Sequence, residues 1–144
     1  MTTEEKRVFF TDVSYVHVQA AAFRSYLTTH RATLATHPFR QIIHNALLES
    51  SLAFLRKSNE FFGSCSEASV RTFFPDYPLK WLWSKEDSEL LNDRVMHLST
   101  REAKSGKVDW TDFYGKHLPE AERRFTEFRI RIENERAELL QTNG

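Results

Sequence analysis

The sequence predicts an all-α fold, a bundle of four to five helices that forms a single domain over residues 1–144. Glycine and proline number four each, so they interrupt the chain at only a few points between long helix-compatible segments. Within those segments apolar residues recur three, four and seven positions apart, which is the spacing of one helix face. A chain of 144 residues also buries enough surface to form one core without a disulfide bond or a metal ion.

The N-terminal segment, residues 1–12, is charged and then briefly apolar, and we expect it to be a flexible arm or to pack late in folding. A first long helix is predicted from about Asp12 to Thr36. Five apolar residues with helical spacing define its buried face: Val16, Ala20, Phe23, Leu27 and Leu34.

A second helix is predicted from Pro38 to Phe62, because proline suits the first turn of a helix and Gly63 suits its end. Its apolar residues cover a wide face: Ile42, Ile43, Ala46, Leu47, Ala53, Phe54 and Phe61. A face of this width predicts contacts with more than one other helix, which favours a bundle over a helical hairpin.

The segment after the second helix, residues 63–80, contains two prolines and a Phe-Phe pair, and it predicts a long irregular crossover with one helical turn. Its aromatic residues and those that follow supply more apolar area than a solvated loop tolerates: Phe73, Phe74, Tyr77, Trp81 and Trp83. We therefore expect this aromatic loop, residues 73–83, to cap the core, with a ligand site as the alternative.

A third helix is predicted from Ser84 to about Glu102, because Ser84 stands three residues before Asp87 in a pattern like a capping box. After a turn around Gly106, Asp109 or Thr111 is expected to cap a short segment that ends at His117. Pro119 then predicts the start of a last helix. The apolar face of that helix comprises Phe125, Phe128, Ile132 and Leu139.

Composition narrows the class of protein. The 20 basic and 20 acidic residues cancel, which argues against a constitutive nucleic-acid binder. Cys65 is the only cysteine, so the chain forms no internal disulfide and offers no cysteine-rich zinc site. The first residues, MTTEEKRVFF, lack the apolar core of a signal peptide, and no segment is apolar enough for a membrane span. We expect a cytoplasmic protein without membrane contact.

The sequence contains neither the histidine spacing of a helical metal site nor the common motifs of hydrolases. Among the six histidines no two are three or four residues apart, as ligands on one helix usually are. We therefore expect surface or partly buried histidines and no cofactor, with a metal site assembled across helices as the less favoured alternative. There is no Gly-x-Ser-x-Gly sequence and no glycine-rich phosphate loop.

One histidine, His97, lies between Arg94 and Arg101 in the segment LLNDRVMHLSTRE, residues 90–102. At about 100° per residue, these three side chains share one edge of the third helix, about 90° from its core stripe. That stripe comprises Leu91, Val95 and Leu98.

Two interpretations of this edge remain open. A titrating imidazole beside two guanidinium groups can transfer protons while the cations hold a phosphate, which is what RNA cleavage requires. The structural alternative is that the side chains extend into solvent or pair with acidic neighbours such as Glu102.

Two segments, ALLESSLAFLRKSNEFFG at residues 46–63 and LLNDRVMHLSTRE at residues 90–102, resemble the HEPN superfamily, in particular its abortive-infection branch. This resemblance implies a bundle of four to five helices that is generally a dimer. Many members of the superfamily are metal-independent ribonucleases in toxin–antitoxin or phage-defence systems.

The catalytic motif of that superfamily is an arginine and a later histidine with four to six residues between them, often with a polar residue directly after the arginine. The resemblance assigns His97 to the histidine and Asn92 to the polar position. The positions open to the arginine are Leu90, Leu91 and Asn92, so the motif lacks its arginine.

These observations predict a non-catalytic or weakly catalytic HEPN-like protein that acts as a homodimer or binds a partner such as an antitoxin-like protein, in bacterial defence or stress response. The alternative is a metal-independent endoribonuclease in which His97 acts as general acid and base and Arg94 and Arg101 stabilise charge. Only this alternative requires an RNA ligand. A small ligand held near Trp81 and Trp83 is a third hypothesis.

Overall fold

The structure is a computed structural model that describes residues 1–96 and 108–141, with side chains described at residues 1–93 and 108–141. In those residues all regular secondary structure is helical, which confirms the predicted all-α bundle. The elements in chain order are α1 (Thr3–Ala20), α2 (Ala22–Ser25), one π-helical turn (Tyr26–His30), α3 (Arg40–Gly63), a 3-10 turn (Val70–Thr72), α4 (Lys85–Met96), α5 (Trp110–Glu135) and a second 3-10 turn (Ala137–Leu139).

The first helix begins earlier than the predicted Asp12, because α1 begins at Thr3. Most of residues 1–12, for which a flexible arm was expected, are thus helical, and their flexibility stays a prediction. A capping box starts the helix: the Glu5 N–H donates to the Thr2 hydroxyl at 3.2 Å, and the Glu5 carboxylate accepts from the Thr2 N–H at 2.6 Å. Phe9 then stacks on Phe73 with ring centroids 5.4 Å apart. The two Phe residues hold the first turns of α1 on the core.

The predicted first helix, Asp12 to Thr36, is not continuous. It breaks at Ala21, and α2 and the π-helical turn follow before the chain turns into α3. Side chains from other helices satisfy the backbone at the break: Ser51 of α3 accepts from the Phe23 N–H at 3.1 Å, and Tyr114 of α5 accepts from the Arg24 N–H at 3.2 Å. The break is therefore stabilised by tertiary contacts.

The helix α3 confirms the predicted stop at Gly63 and begins at Arg40, two residues after Pro38. It packs against α1, α2, α4 and α5, so the predicted contact with several helices is confirmed. Its core side chains differ in part from the predicted face, because Ile42 is 66% exposed. The buried apolar residues of α3 are Leu48, Leu52, Leu55, Phe61 and Phe62.

The crossover between α3 and α4 contains the single helical turn that its sequence predicts, Val70–Thr72. Phe73, Phe74 and Tyr77 are buried in the core, which confirms that this part of the aromatic loop caps the bundle. Trp81 differs from these three residues, since it is 48% exposed and its indole ring lies against Gly63. A Cβ atom at Gly63 would lie 2.3 Å from Trp81 Cδ2, so this contact requires glycine.

The helix α4 starts as predicted, because the Ser84 hydroxyl accepts from the Asp87 N–H at 3.1 Å. Leu91 is buried, in agreement with its place in the predicted core stripe. The helix is described as far as Met96. Its predicted continuation to Glu102 lies outside the described residues.

The helix α5 corrects the prediction of a short segment followed by a helix that starts at Pro119. It runs without interruption from Trp110 to Glu135, capped by the Asp109 carboxylate, which accepts from the Thr111 and Asp112 N–H groups at 3.0 Å each. Pro119 lies inside the helix with its ring exposed, and it removes only the N–H that would bond to the Gly115 carbonyl. Both flanking turns are buried on the same core, which keeps the helix continuous.

The core consists of two apolar clusters that α5 joins. One surrounds Phe128, whose ring lies 5.3 Å from those of Phe61 and Phe73. The other surrounds Phe23, whose ring meets that of Tyr114 edge to face at 5.3 Å. Among the described residues no helix combines the length and apolar character of a membrane span.

Candidate functional site

A polar site lies at the edge of the bundle where α3 and α4 meet, and it contains Asn92, one of the four predicted site residues. The Asn92 side-chain oxygen accepts a hydrogen bond from Arg56 Nε on α3 at 2.7 Å. The same guanidinium group pairs with Glu60 through Nη2 at 2.8 Å. A permanently charged arginine therefore lies at the polar position of the predicted motif.

The structure does not describe the side chains of the other three predicted site residues, Arg94, His97 and Arg101. The backbone of Arg94 belongs to α4, but its side chain lies outside the described residues. His97 and Arg101 lie outside them entirely. Their proposed proximity stays a prediction.

Sequence reasoning missed Arg56 as a site residue. It lies 36 residues before Asn92 on another helix, so no local spacing connects the two. Arg56 lies in the quoted segment ALLESSLAFLRKSNEFFG, residues 46–63. The resemblance of this segment to the superfamily was the signal in the sequence that could have pointed to Arg56.

Buried polar side chains fix α4 against α3 one turn before Asn92. Asn59 of α3 is buried; its amide donates to the Ser88 hydroxyl at 3.0 Å, and its oxygen accepts from the Leu82 N–H at 2.8 Å. Ser88 in turn donates to the Ser84 carbonyl at 2.9 Å. These bonds set the rotation of α4 and so place Asn92 beside Arg56.

A second titratable group on α4, Asp87, faces His117 of α5. His117 is 4% exposed, and its Nε2 lies 2.9 Å from Asp87 Oδ2, although the angle at the ring nitrogen falls outside hydrogen-bond geometry. Lys116 Nζ lies 2.9 Å from the same oxygen and donates to it. This cluster joins α4 to α5.

The pKa values in this cluster follow from burial and from the neighbouring charges. Burial lowers the pKa of His117, and the attraction of Asp87 offsets this only in part. For Asp87 burial alone would raise the pKa, but the hydrogen bond from Lys116 and the charges of His117 and Lys116 outweigh it, so the pKa is lowered. The two shifts favour a neutral imidazole and an ionised carboxylate, and we assign this pair the structural role of joining α4 to α5.

Among the described residues, no group of three His, Cys, Asp or Glu side chains lies close enough together to hold a metal ion. His117 and Asp87 do lie together, but the third charged group beside Asp87 is the cation Lys116. An ammonium group at this distance opposes a bound metal ion.

An apolar cavity of about 530 Å³ lies between α1, the end of α3 and the aromatic loop. Trp81 lines it, whereas Trp83 packs against His117 with ring centroids 4.8 Å apart. His17 closes one side and stacks on Phe125 at 4.0 Å. Burial lowers the pKa of His17; the charge of Glu122 raises this pKa in part, and the charge of Arg24 lowers it further. The cavity is the feature that fits the hypothesis of a small ligand near Trp81.

A broad uncharged surface, the outer face, extends over α1 and the adjoining side of α3. On α1 it comprises Val8, Thr11, Tyr15 and Val18, it continues to Ala22 at the start of α2, and on α3 it comprises Ile43, Ala46, Leu47, Ser50 and Phe54. Val18 is 62% exposed, and Tyr15 meets Phe54 edge to face at 5.8 Å, which connects the two halves. A shallow groove that Val18, Ile43 and Leu47 line runs along their junction. Helix α1 is thus apolar on the side away from the core as well as towards it.

Comparisons with models of protein families, with curated proteins and with solved structures find no match to this chain. The resemblance to the HEPN superfamily therefore rests on the two quoted segments and stays a prediction.

Proposed function

We propose that the protein is a non-catalytic or weakly catalytic binding protein that acts as a homodimer. The outer face is the observation that carries this proposal. Val8, Tyr15 and Val18 are each more than half exposed, although a single helix in water gains nothing from apolar residues on its solvent side. A contiguous apolar surface of this kind is typical of a protein interface.

The spacing along α1 favours a second copy of this chain as the occupant of the outer face. Within α1, positions 8, 11, 15 and 18 alternate by three and four residues, which is the seam of paired helices. At about 1.5 Å per residue the seam from Val8 to Val18 is about 15 Å long. All ten side chains of the outer face are uncharged, and charged groups lie at its rim, where Lys57 Nζ is 5.0 Å from the centroid of the Phe54 ring.

The biological role follows from the resemblance and belongs to the same proposal. We place the homodimer in the cytoplasm of a bacterium, in defence or stress response, where an antitoxin-like protein is its partner. The resemblance of the two quoted segments supports this role, and the proposed dimer agrees with it because the resemblance implies a dimer.

The experiment is sedimentation velocity analysis of the wild-type protein over a wide concentration range. We expect a dimer, and we expect Val18→Glu to raise the dimer Kd about a hundredfold, since each buried carboxylate loses its water. Ile130→Glu is the matched control, because Ile130 is 51% exposed on α5, outside the outer face. A wild-type protein that stays monomeric throughout contradicts the proposal, and so does equal weakening by both variants.

Metal-independent endoribonuclease activity is the second candidate function, and the contact between Arg56 and Asn92 supports it. The resemblance implies an arginine beside the polar residue, and Arg56 supplies one from α3 in place of the missing position. In this mechanism His97 takes the proton of a 2′-hydroxyl as it attacks the adjacent phosphate and returns a proton to the leaving oxygen. Arg94 and Arg101 stabilise the added negative charge.

RNA cleavage in the presence of a chelator tests this second function. We expect His97→Ala to abolish cleavage and Arg56→Gln to reduce it about a hundredfold, as loss of a charge-stabilising donor does. Arg129→Gln, on the exposed face of α5, is the control and should leave the rate unchanged. Equal and negligible rates for the wild type and His97→Ala would exclude the nuclease.

A further inference from the structure

Charge is distributed unevenly along a chain whose net charge is zero. Residues 13–48 contain three arginines, four histidines and no aspartate or glutamate. Arg24 is neutralised by Glu122 of α5, to which its Nη1 donates at 2.7 Å. Arg31 and Arg40 form no ion pair among the described residues. One end of the bundle, where α3 begins, is therefore basic and uncompensated.

A cavity of about 310 Å³ lies at this basic end, between residues 31–35 and the first two turns of α3. We name it the arginine pocket. Its walls are Tyr26, Arg31, Leu34, Ala35, Arg40, Gln41 and His44. The volume corresponds to about ten water molecules at about 30 Å³ each, which leaves room for a phosphate group and several attached atoms.

The hydroxyl group of Tyr26 lacks a hydrogen-bond partner among the described residues, although Tyr26 is only 5% exposed. Ring contacts hold the side chain in place, with centroids 5.9 Å from Phe23 and 5.7 Å from His44. The Tyr26 oxygen is not among the buried polar atoms of the described residues that lack a partner, so it reaches solvent. Because Tyr26 forms part of the pocket wall, its hydroxyl is available to donate to a group bound there.

The N-terminus of α3 adds donors of a second kind. Phe39 at the N-cap offers no side-chain oxygen, and the first turn contains no acidic residue. The backbone N–H groups of Gln41 and Ile42 have no partner among the described residues. The positive end of a helix of 24 residues is thus left without a counter-charge beside the pocket.

The histidine of the pocket, His44, completes the set of donors. Burial, and then the charge of Arg31, lower the pKa of His44, so the ring is neutral near pH 7 and offers a single N–H. Neutral donors of this kind assist an anion without adding to the repulsion between the two arginines.

We infer that the arginine pocket binds a phosphate group, either as inorganic phosphate or as a small phosphomonoester. Two guanidinium groups match the two negative charges of such a group near neutral pH. The Tyr26 hydroxyl and the N-terminus of α3 supply further donors, which suits an anion with several oxygens better than a planar carboxylate. The pocket adjoins the groove of the outer face, with which it shares Tyr26 and Leu34, and none of its walls is Asn92. It adds a ligand to the proposed function.

Titration of the full chain with inorganic phosphate, followed through the backbone amide signals by NMR, tests the inference. We expect saturable shifts at Gln41 and Ile42 and no such shifts with chloride. A parallel titration with glycerol 3-phosphate distinguishes the two sources: tighter binding of either compound identifies the natural form of the group. Absence of saturable binding of both compounds overturns the inference.

Three variants assign the binding to the pocket. Arg40→Gln should weaken phosphate binding about tenfold or more through the loss of a charge-assisted hydrogen bond. Tyr26→Phe keeps the ring contacts and should weaken it about fivefold through the loss of one hydrogen bond. Arg129→Gln on α5 is the charge-matched control and should bind like the wild type. Equal loss in all three variants would indicate general attraction of anions and contradict a built site.

Discussion

The hydroxyl group of Tyr114 on α5 donates a hydrogen bond of 2.7 Å to the carbonyl oxygen of Ala20, the last residue of α1. It also accepts from the Arg24 N–H at 3.2 Å, beyond the break in the helix. A single side chain thus bonds to the backbone on both sides of Ala21. Burial is the largest influence on the pKa of Tyr114 and raises it, so the hydroxyl stays protonated and able to donate.

Tyr114→Phe should lower the free energy of unfolding by about 1 to 3 kcal/mol, because two buried backbone groups lose their partner. The measurement is urea denaturation followed by circular dichroism. Tyr15→Phe is the matched control, because Tyr15 is exposed and its hydroxyl makes no hydrogen bond with the described residues; it should change stability by less than about 0.5 kcal/mol. Equal effects of the two substitutions would contradict the role assigned to Tyr114.

Gly63→Ala should displace Trp81, because the added Cβ would lie 2.3 Å from the indole ring. We expect a change in tryptophan fluorescence and a loss of about 1 kcal/mol of stability through overpacking. The same substitution in a Trp81→Ala background should stabilise the protein, since alanine favours helix over glycine by about 1 kcal/mol. A cost that persists without Trp81 would show that another contact requires the glycine.

Pro119→Ala should raise the melting temperature. The alanine N–H restores the bond to the Gly115 carbonyl within α5, and the exposed proline ring makes no core contact that would be lost. A gain of about 1 to 3 kcal/mol is expected, the amount that an interior proline costs a helix. Calorimetry checks the gain, and a decrease in stability would mean that α5 depends on the proline.

Stability should fall as the pH falls below about 6.5, the ordinary pKa of histidine. Burial, as the largest cause, lowers the pKa of His17, His44 and His117 in the folded protein. In that pH range the unfolded chain binds more protons than the folded one, so protonation favours unfolding until the pH passes below the folded pKa values.

Urea denaturation at pH 7.5 and pH 5.5 measures this dependence. His17→Phe keeps the stacked contact with Phe125 and removes one of the titrating groups, so it should reduce the difference between the two pH values. His30→Gln is the control, at an exposed position whose side chain makes no hydrogen bond with the described residues, and should leave the difference as it is. If all three proteins lose the same stability on acidification, His17 does not contribute.

Local signals in the sequence determined the helical class and several boundaries. Few glycines and prolines, together with the apolar spacing, predicted the bundle, and Gly63, Ser84 and Asp109 each mark a boundary through a bond or conformation within a few residues. The capping box at Thr2 was equally local, and it could have moved the start of α1 from Asp12 to Thr3. Physically, a cap depends on the backbone groups that its own turn leaves unpaired.

Only the tertiary structure decided the rest. The break at Ala21 depends on Ser51 and Tyr114, which lie 28 and 94 residues from their partners Phe23 and Ala20. The arginine at Asn92 comes from another helix. The arginine pocket likewise exists because the chain folds residues 31–35 back onto α3. Such contacts form when distant segments pack together, and the free energy of that packing overrides local preference, which is why spacing along the chain could not reveal them.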